Sequence, residues 1–236
     1  MTTALEGHLT HQLDTARDFF WHRLRWRAVS RTLPRDRAFR LLDVGAGAGF
    51  VGAYLAEELP RAEYFFVEPI RSLEERLEQR YGAARNLAAA SSWEGIDCLV
   101  LLDVLEHQQD DAGFLRLVLS KVPAGARVVL TVPALPLLWS DWDRQLGHHR
   151  RYHKASLRSL LAACPLEVDE VSYLFPEMVP PGLLRKRRIA TGAEFPQLPR
   201  WLNRALYAAG LPSLFLRRLV PFGSSLLAVA RKRPAP

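Results

Sequence analysis

Through the first 135 residues, short apolar runs alternate with stretches whose apolar positions recur every three or four residues. The opening segment, to about Leu33, carries Leu13, Phe19, Phe20, Leu24 and Val29 amid charged residues, a helical pattern that stops before Pro34. RLLDV then runs into Gly45-Ala46-Gly47-Ala48-Gly49, and Phe50 to Leu59 has helical periodicity ending at Pro60, which predicts strand, glycine turn and helix. The unit repeats: AEYFFVEP reads as a second strand, and Leu73, Leu77 and Tyr81 mark one face of a second helix. A weaker strand is expected near Asn86 to Ala90. IDCLVLLDV is a continuous apolar run, as expected of a strand covered on both faces, and Phe114, Leu115, Val118, Leu119 and Val122 form the next helical stripe. Pro123-Ala124-Gly125 turns into the strand RVVLTVP. The last hundred residues are less regular: a helix from about Ala155 to Ala163, a strand LEVDEVSYL, a Pro- and Arg-rich stretch, and a closing run SSLLAVARK placed as an edge strand completing the sheet.

Strands alternating with helices imply right-handed crossovers and a parallel sheet, whose ligands sit beyond the carboxyl ends of the strands. The chemistry is therefore expected after Val44, Val67, Leu102 and Val132. A chain of 236 residues suits one such domain and is short for two. We divide it into a helical cover over residues 1–35, a ligand-binding core over 38–135, and an acceptor-side loop with C-terminal decoration over 136–236.

Asp43 ends the first strand just before alternating glycines, which let the backbone bend tightly and let a ligand approach without meeting a Cβ atom. A carboxylate here would repel a pyrophosphate but can order the turn and face an amino group or a cation. Glu68 ends the second strand, where a carboxylate can accept hydrogen bonds from both hydroxyls of a ribose. A nucleoside is thus the expected ligand, although either acid alone is equally well a loop or capping residue. Gly47-Ala48-Gly49-Phe50-Val51-Gly52 also matches the dinucleotide fingerprint G-x-G-x-x-G, but that register starts too far beyond the strand.

After the fourth strand of this reading, LLDVLE leads directly into His107, where the fold opens onto its ligand. It suits a proton acceptor, and equally a helix-start residue bonded locally. The stretch WSDWDRQLGHHRRYH, Trp139 to His153, is the chain's densest collection of binding and titrating groups. His149 and His153 are spaced for one helical face, with Asp141 and Asp143 nearby, but no zinc-type spacing is complete and no metal is expected.

Composition adds little to the choice. The formal charge of +7 could mark a polyanionic partner, but of the 32 basic residues only four are Lys, which looks like a chain-wide bias, and no nucleic-acid-binding motif accompanies it. Cys98 and Cys164 lie in apolar stretches and read as small core residues. The start, with His8, His11, Asp14 and Arg17, does not read as a signal peptide, and no apolar run approaches the length of a membrane-spanning helix. A cytoplasmic location is the expectation. Contact with the inner membrane surface is a second one, since PPGLL followed by Arg185-Lys186-Arg187-Arg188, and later LPSLFLRRLVPF, mix apolar and basic groups.

As a set, DVGAGAG, VEP, LLDVLEH, VPAGARVVLTVP and DRQLGHHRRY resemble the class I S-adenosylmethionine-dependent methyltransferases, over roughly residues 15 to 175. The resemblance implies an α/β fold, a Rossmann-like three-layer sandwich with a mostly parallel seven-stranded sheet and one antiparallel C-terminal strand. It implies S-adenosylmethionine as cofactor, with Asp43, Gly45, Ala46 and Gly47 along its methionine part, Glu68 on the ribose, Pro69 near the adenine edge and Asp103 near the methionyl group. The acidic residue usual near the adenine amine is absent between Asn86 and Gly95, leaving Ser91 or Ser92 for that place. The G-H-x-R-R-Y pattern is closest to methyltransferases of glycan or lipid biosynthesis and nominates His148 beside His107 as a base. Arg150, Arg151 and Tyr152 then either bind an anionic or hydroxyl-rich acceptor or anchor the loop through ion pairs. Phe20, Trp21 and Trp26 either cover the cofactor mouth or belong to ordinary core packing. The expected activity is O-methylation of a small-molecule, glycan or lipid-linked acceptor. A non-catalytic cofactor-binding module and an RNA or protein methyltransferase are the alternatives, and the oligomeric state is open.

Overall fold

The structure is a computed structural model that describes residues 6–7, 17–186 and 198–234. The part of the opening cover that holds Leu13, and Arg187 and Arg188 of the basic run, lie outside the described residues. In chain order the elements are α1 (Phe20–Ser30), β1 (Phe39–Val44), α2 (Phe50–Glu58), β2 (Ala62–Val67), α3 (Arg71–Tyr81), β3 (Cys98–Leu102), α4 (Asp111–Lys121), β4 (Arg127–Pro133), α5 (Asp141–Gln145), α6 (Lys154–Ala162), β5 (Leu166–Leu174), α7 (Val179–Lys186), α8 (Arg200–Phe215) and β6 (Ser225–Lys232). The sheet order is β2-β1-β3-β4-β6-β5; β1 to β4 pair in parallel, and β6 runs antiparallel to both of its neighbours.

This is the Rossmann-like α/β sandwich expected, with six strands in place of seven. The missing strand is the weak one: Asn86 makes a single parallel bridge to Phe66, and NLAAA has too little β-branched or aromatic surface to cover a further sheet edge. The closing run is not an edge strand. β6 lies between β4 and β5, and its first six residues are all buried, whereas β5 takes the edge with Glu167 and Asp169 exposed. A continuous apolar run marks a strand covered on both faces, and an edge strand facing water would alternate.

Successive strand residues point to opposite faces, so two cores flank the sheet. Leu42, Leu99 and Leu130 pack with Leu115 and Leu119 of α4 and Leu157 and Leu161 of α6. On the other face, Leu41, Val100 and Val129 pack with Leu24 of α1, Leu55 of α2 and Leu214 of α8. Cys98 and Cys164 are both buried, free thiols. Among the described residues no helix is long and apolar enough to cross a membrane.

Because β1 pairs with β2 on one side and β3 on the other, the connections leaving β1 and β3 diverge and open a crevice at their carboxyl ends. Three non-glycine residues there have left-handed backbones, Asp103 after β3, Leu135 after β4 and Phe175 after β5, with φ of 60°, 57° and 59°. Such conformations are costly for residues with a Cβ and collect where a site demands them.

Candidate active site

A cavity of about 840 Å³ occupies that crevice, within the range of small-molecule sites. Its floor is the turn after β1. Gly45 has φ of +76°, and a Cβ there would stand 2.7 Å from Val104 Cγ2, so the turn needs glycine on conformational and steric grounds. Gly47 donates its backbone N–H to Glu68 Oε2 at 2.7 Å, and Ile70 N–H donates to Glu68 Oε1 at 2.8 Å. The glutamate thereby ties the glycine turn to the end of β2, and each oxygen keeps a lone pair for a ligand. Burial raises the Glu68 carboxyl above its ordinary range, against the two amides that lower it.

Asp43 is almost wholly buried, and its one hydrogen bond among the described residues comes from the Tyr64 hydroxyl at 3.1 Å. Burial pushes its carboxyl up to about 7, opposed by that hydrogen bond and reinforced by nearby Glu68. The buried acid is short of a cationic partner. Pro69 and Ala46 also line the cavity. Asp103 accepts from the Thr131 hydroxyl at 2.9 Å and pairs with Arg25, which reaches in from α1 and lies 4.7 Å over the Trp21 ring. Every expected cofactor residue lines the cavity. Ser91 and Ser92 do not; both are exposed.

Gly52 explains the rival glycine register. A Cβ there would lie 2.7 Å from the Tyr64 and Tyr81 rings, so this glycine lets α2 approach aromatic residues of β2 and α3 rather than a ligand. The N-terminal aromatics divide: Trp21 lines the cavity together with Phe19, whereas Phe20 and Trp26 are buried and Trp26 stacks on Tyr54. Phe19 takes the lining place because α1 begins only at Phe20, leaving Phe19 on the extended approach.

His107 and His148 line the same cavity, with ring centroids 4.7 Å apart at 80°. His107 closes a one-turn helix after β3. Burial, and then His148, push His107 down to about 4, so its ring is neutral at physiological pH. His148 Nδ1 lies 2.9 Å from Asp143 Oδ1. Asp143 is wholly buried; Oδ1 also accepts from Arg151 Nε at 2.7 Å, and Oδ2 accepts from Ser140 N at 2.9 Å, closing a capping box at the start of α5. Burial alone would raise this carboxyl, but His148 and Arg151 hold it below its ordinary range.

Next to the two histidines lies Glu106. It is 0% exposed, and neither carboxylate oxygen has a hydrogen-bond partner among the described residues. Burial, then the charge of Asp103, push its carboxyl well above the ordinary range.

Arg150 and Tyr152 do not reach the cavity. They pair with Asp111 at 2.8 and 2.7 Å, and Arg151, which does line the cavity, is tied to Asp143 and to the Ala134 carbonyl. All three anchor the loop. His149 and Asp141 do not line the cavity either; Asp141 pairs with Arg144.

Sequence reasoning missed Glu106 and Arg25 and considered Asp143 only beside His149 and His153. Glu106 was visible only as an acid inside an apolar run. Asp143 carried the S-x-x-D capping signal that fixes its neighbourhood. Nothing local marks Arg25, brought from 78 positions away to Asp103.

The sequence profile of a family described as a methyltransferase domain matches residues 9–171. No curated protein matches the chain. Solved structures do. A chain from a Haloferax volcanii complex between the Trm112 methyltransferase activator and a proposed methyltransferase is 15% identical with a TM-score of 0.60, over 93% of this chain and 92% of that one. Haemonchus contortus phosphoethanolamine N-methyltransferase 2 bound to S-adenosyl-L-methionine is 15% identical with a TM-score of 0.57; the match covers 91% of this chain, which spans only about half (53%) of that enzyme. The [4+2]-cyclase SpnF is also 15% identical, with a TM-score of 0.53 over 89% and 80% of the two chains. At such identities the likeness establishes the fold alone.

Proposed function

Since the chain belongs to the methyltransferase-domain family, whose cofactor is S-adenosylmethionine, we propose that it methylates a hydroxyl oxygen of a small-molecule, sugar or lipid-linked acceptor. The observation that carries this reading is that His148, held at Nδ1 by buried Asp143, lines the same cavity as the glycine turn.

The cavity's residues fit the cofactor. Asp43, a buried carboxylate lacking a cation, suits the cationic amino-acid arm, with Gly45, Ala46 and Gly47 giving it backbone access. Glu68 would accept the ribose hydroxyls with its remaining lone pairs, Pro69 would face the adenine edge, and Asp103 with Arg25 would meet the methionyl end. When bound, the cofactor supplies an electrophilic methyl carbon on a sulfonium.

The remaining work falls to the chain. Transfer to a hydroxyl needs the acceptor held in line and its proton removed. With its Nδ1–H donating to Asp143, the His148 ring presents Nε2 as the proton acceptor, and Asp143 fixes the ring and stabilises the imidazolium that forms. Neutral His107 beside it adds a second polar contact without adding charge. Leu138, Met178 and Pro181 add apolar surface to the cavity lining.

A lipid-linked acceptor is supported by the surface near α8. Trp201 and Leu219 are 71% and 80% exposed, Phe215, Leu216 and Phe222 are exposed as well, and Arg200, Arg204 and Arg218 stand among them. Apolar groups interleaved with arginines suit an anionic membrane surface.

The test is release of S-adenosylhomocysteine on adding hydroxylated sugars and lipids to protein and cofactor, repeated with His148→Ala. Turnover with a hydroxyl acceptor that drops by about a hundredfold in the variant supports the reading. Turnover only with amines, or a variant as fast as wild type, removes it.

A further inference from the structure

We propose that Glu106, His107 and His148 together hold a divalent cation of the zinc class at the acceptor end of the cavity. One ligand atom from each residue, a carboxylate oxygen and two imidazole nitrogens, lies within 4.8 Å of the others. Two histidines and one glutamate, with further positions open to the cavity, are the donor set and coordination of a catalytic rather than a structural site.

Two features set this cluster apart from a chance gathering of polar groups. Glu106 is a fully buried carboxyl with no partner for either oxygen among the described residues, and leaving such a group unsatisfied is costly. A cation between Glu106 and the histidines supplies the partner. His148 also has Nδ1 engaged by the Asp143 carboxylate, as metal-binding imidazoles commonly do, which leaves Nε2 for the cation. Arg151 and the α5 capping box hold Asp143 in turn, so the ring that would meet the cation is fixed from behind.

This inference rests on the reading of that wall as the acceptor's side and changes how the proton is lost there. With a cation in place, His148 Nε2 is a ligand. An acceptor hydroxyl entering an open coordination position is then polarised by the cation; its O–H bond breaks, the electron pair stays on oxygen and the proton passes to water at the cavity mouth. A cation would favour acceptors with two neighbouring oxygens, such as vicinal hydroxyls, which can occupy two open positions.

The test uses the whole chain stripped with a chelator and titrated with Zn²⁺ by calorimetry and with Co²⁺ by visible absorption. One equivalent is expected, with a Co²⁺ spectrum of low coordination number. Glu106→Gln and His107→Ala should each weaken binding at least tenfold, Asp143→Asn by about tenfold to a hundredfold. His153→Ala, outside the cluster, should leave it unchanged, and circular dichroism checks that the variants fold. Absence of Zn²⁺ and Co²⁺ binding, or equal binding by wild type and all cluster variants, overturns the proposal. If chelated protein still turns over hydroxyl acceptors at full rate, the cation falls and the imidazole base stands. If the cation binds as expected but no hydroxyl acceptor is methylated, the site stands and the acceptor reading falls.

Discussion

His148, which lines the cavity, and Asp143, which is wholly buried, are joined by a 2.9 Å contact from Nδ1 to Oδ1. An ion pair taken out of water repays its desolvation only when the geometry is good and every lone pair is used. Here every one is directed: toward His148, Arg151 and the start of α5. The arrangement fixes one imidazole edge toward the cavity.

Asp143→Asn is therefore expected to lower kcat by about a hundredfold, since Asn can present the wrong hydrogen-bonding atom to Nδ1. Cofactor affinity should stay within about twofold, as Asp143 does not line the cavity. Steady-state kinetics paired with calorimetry separates the two, and unchanged kcat would contradict the role given to Asp143.

Asp43 predicts a pH dependence of stability in the cofactor-free protein. Its carboxyl ionises near 7 when folded and near its ordinary value, 3.8, when unfolded. A raised folded pKa contributes stability below the unfolded value that is lost as pH rises toward 7, because the unfolded chain gives up the proton first. Asp43→Asn lacks this loss. The Tm of the variant minus that of wild type should grow from pH 4 to pH 7 and then level off; a flat difference would show that Asp43 is not buried as described.

Gly52→Ala places a methyl 2.7 Å from two tyrosine rings, one of which, Tyr64, hydrogen-bonds Asp43. Overpacking of this kind costs about 1–3 kcal/mol. Urea unfolding should show that loss, and cofactor binding should weaken as Tyr64 is displaced. Wild-type behaviour in both assays would mean that α2 can shift freely.

Trp201→Ala combined with Leu219→Ala should reduce co-sedimentation with anionic vesicles by about tenfold while leaving turnover of a soluble acceptor intact. Sedimentation of wild type with neutral and anionic vesicles alike, or with neither, would contradict the surface assigned around α8.

Much of this was legible in the sequence for identifiable reasons. Strands buried on both faces announce themselves as apolar runs, and the turn from Asp43 to Gly49 and the acid at Glu68 follow directly from where β1 and β2 end. The strand expected at Asn86 failed because periodicity cannot say whether a short alanine run has enough surface to join a sheet. The position of β6 was missed because sheet order depends on long-range pairing. The partners of Arg150 and Tyr152 were undecidable locally: both meet Asp111, about 40 positions away in sequence. Glu106 became a candidate only once its burial and its neighbours were known.

The most direct test of the account is calorimetric titration of the protein with S-adenosylmethionine, S-adenosylhomocysteine and NADH, comparing wild type with Glu68→Ala. The account predicts binding of both adenosyl compounds, weakening of about tenfold or more in the variant, and no binding of NADH. Binding of NADH alone, or of none of the three, would contradict it.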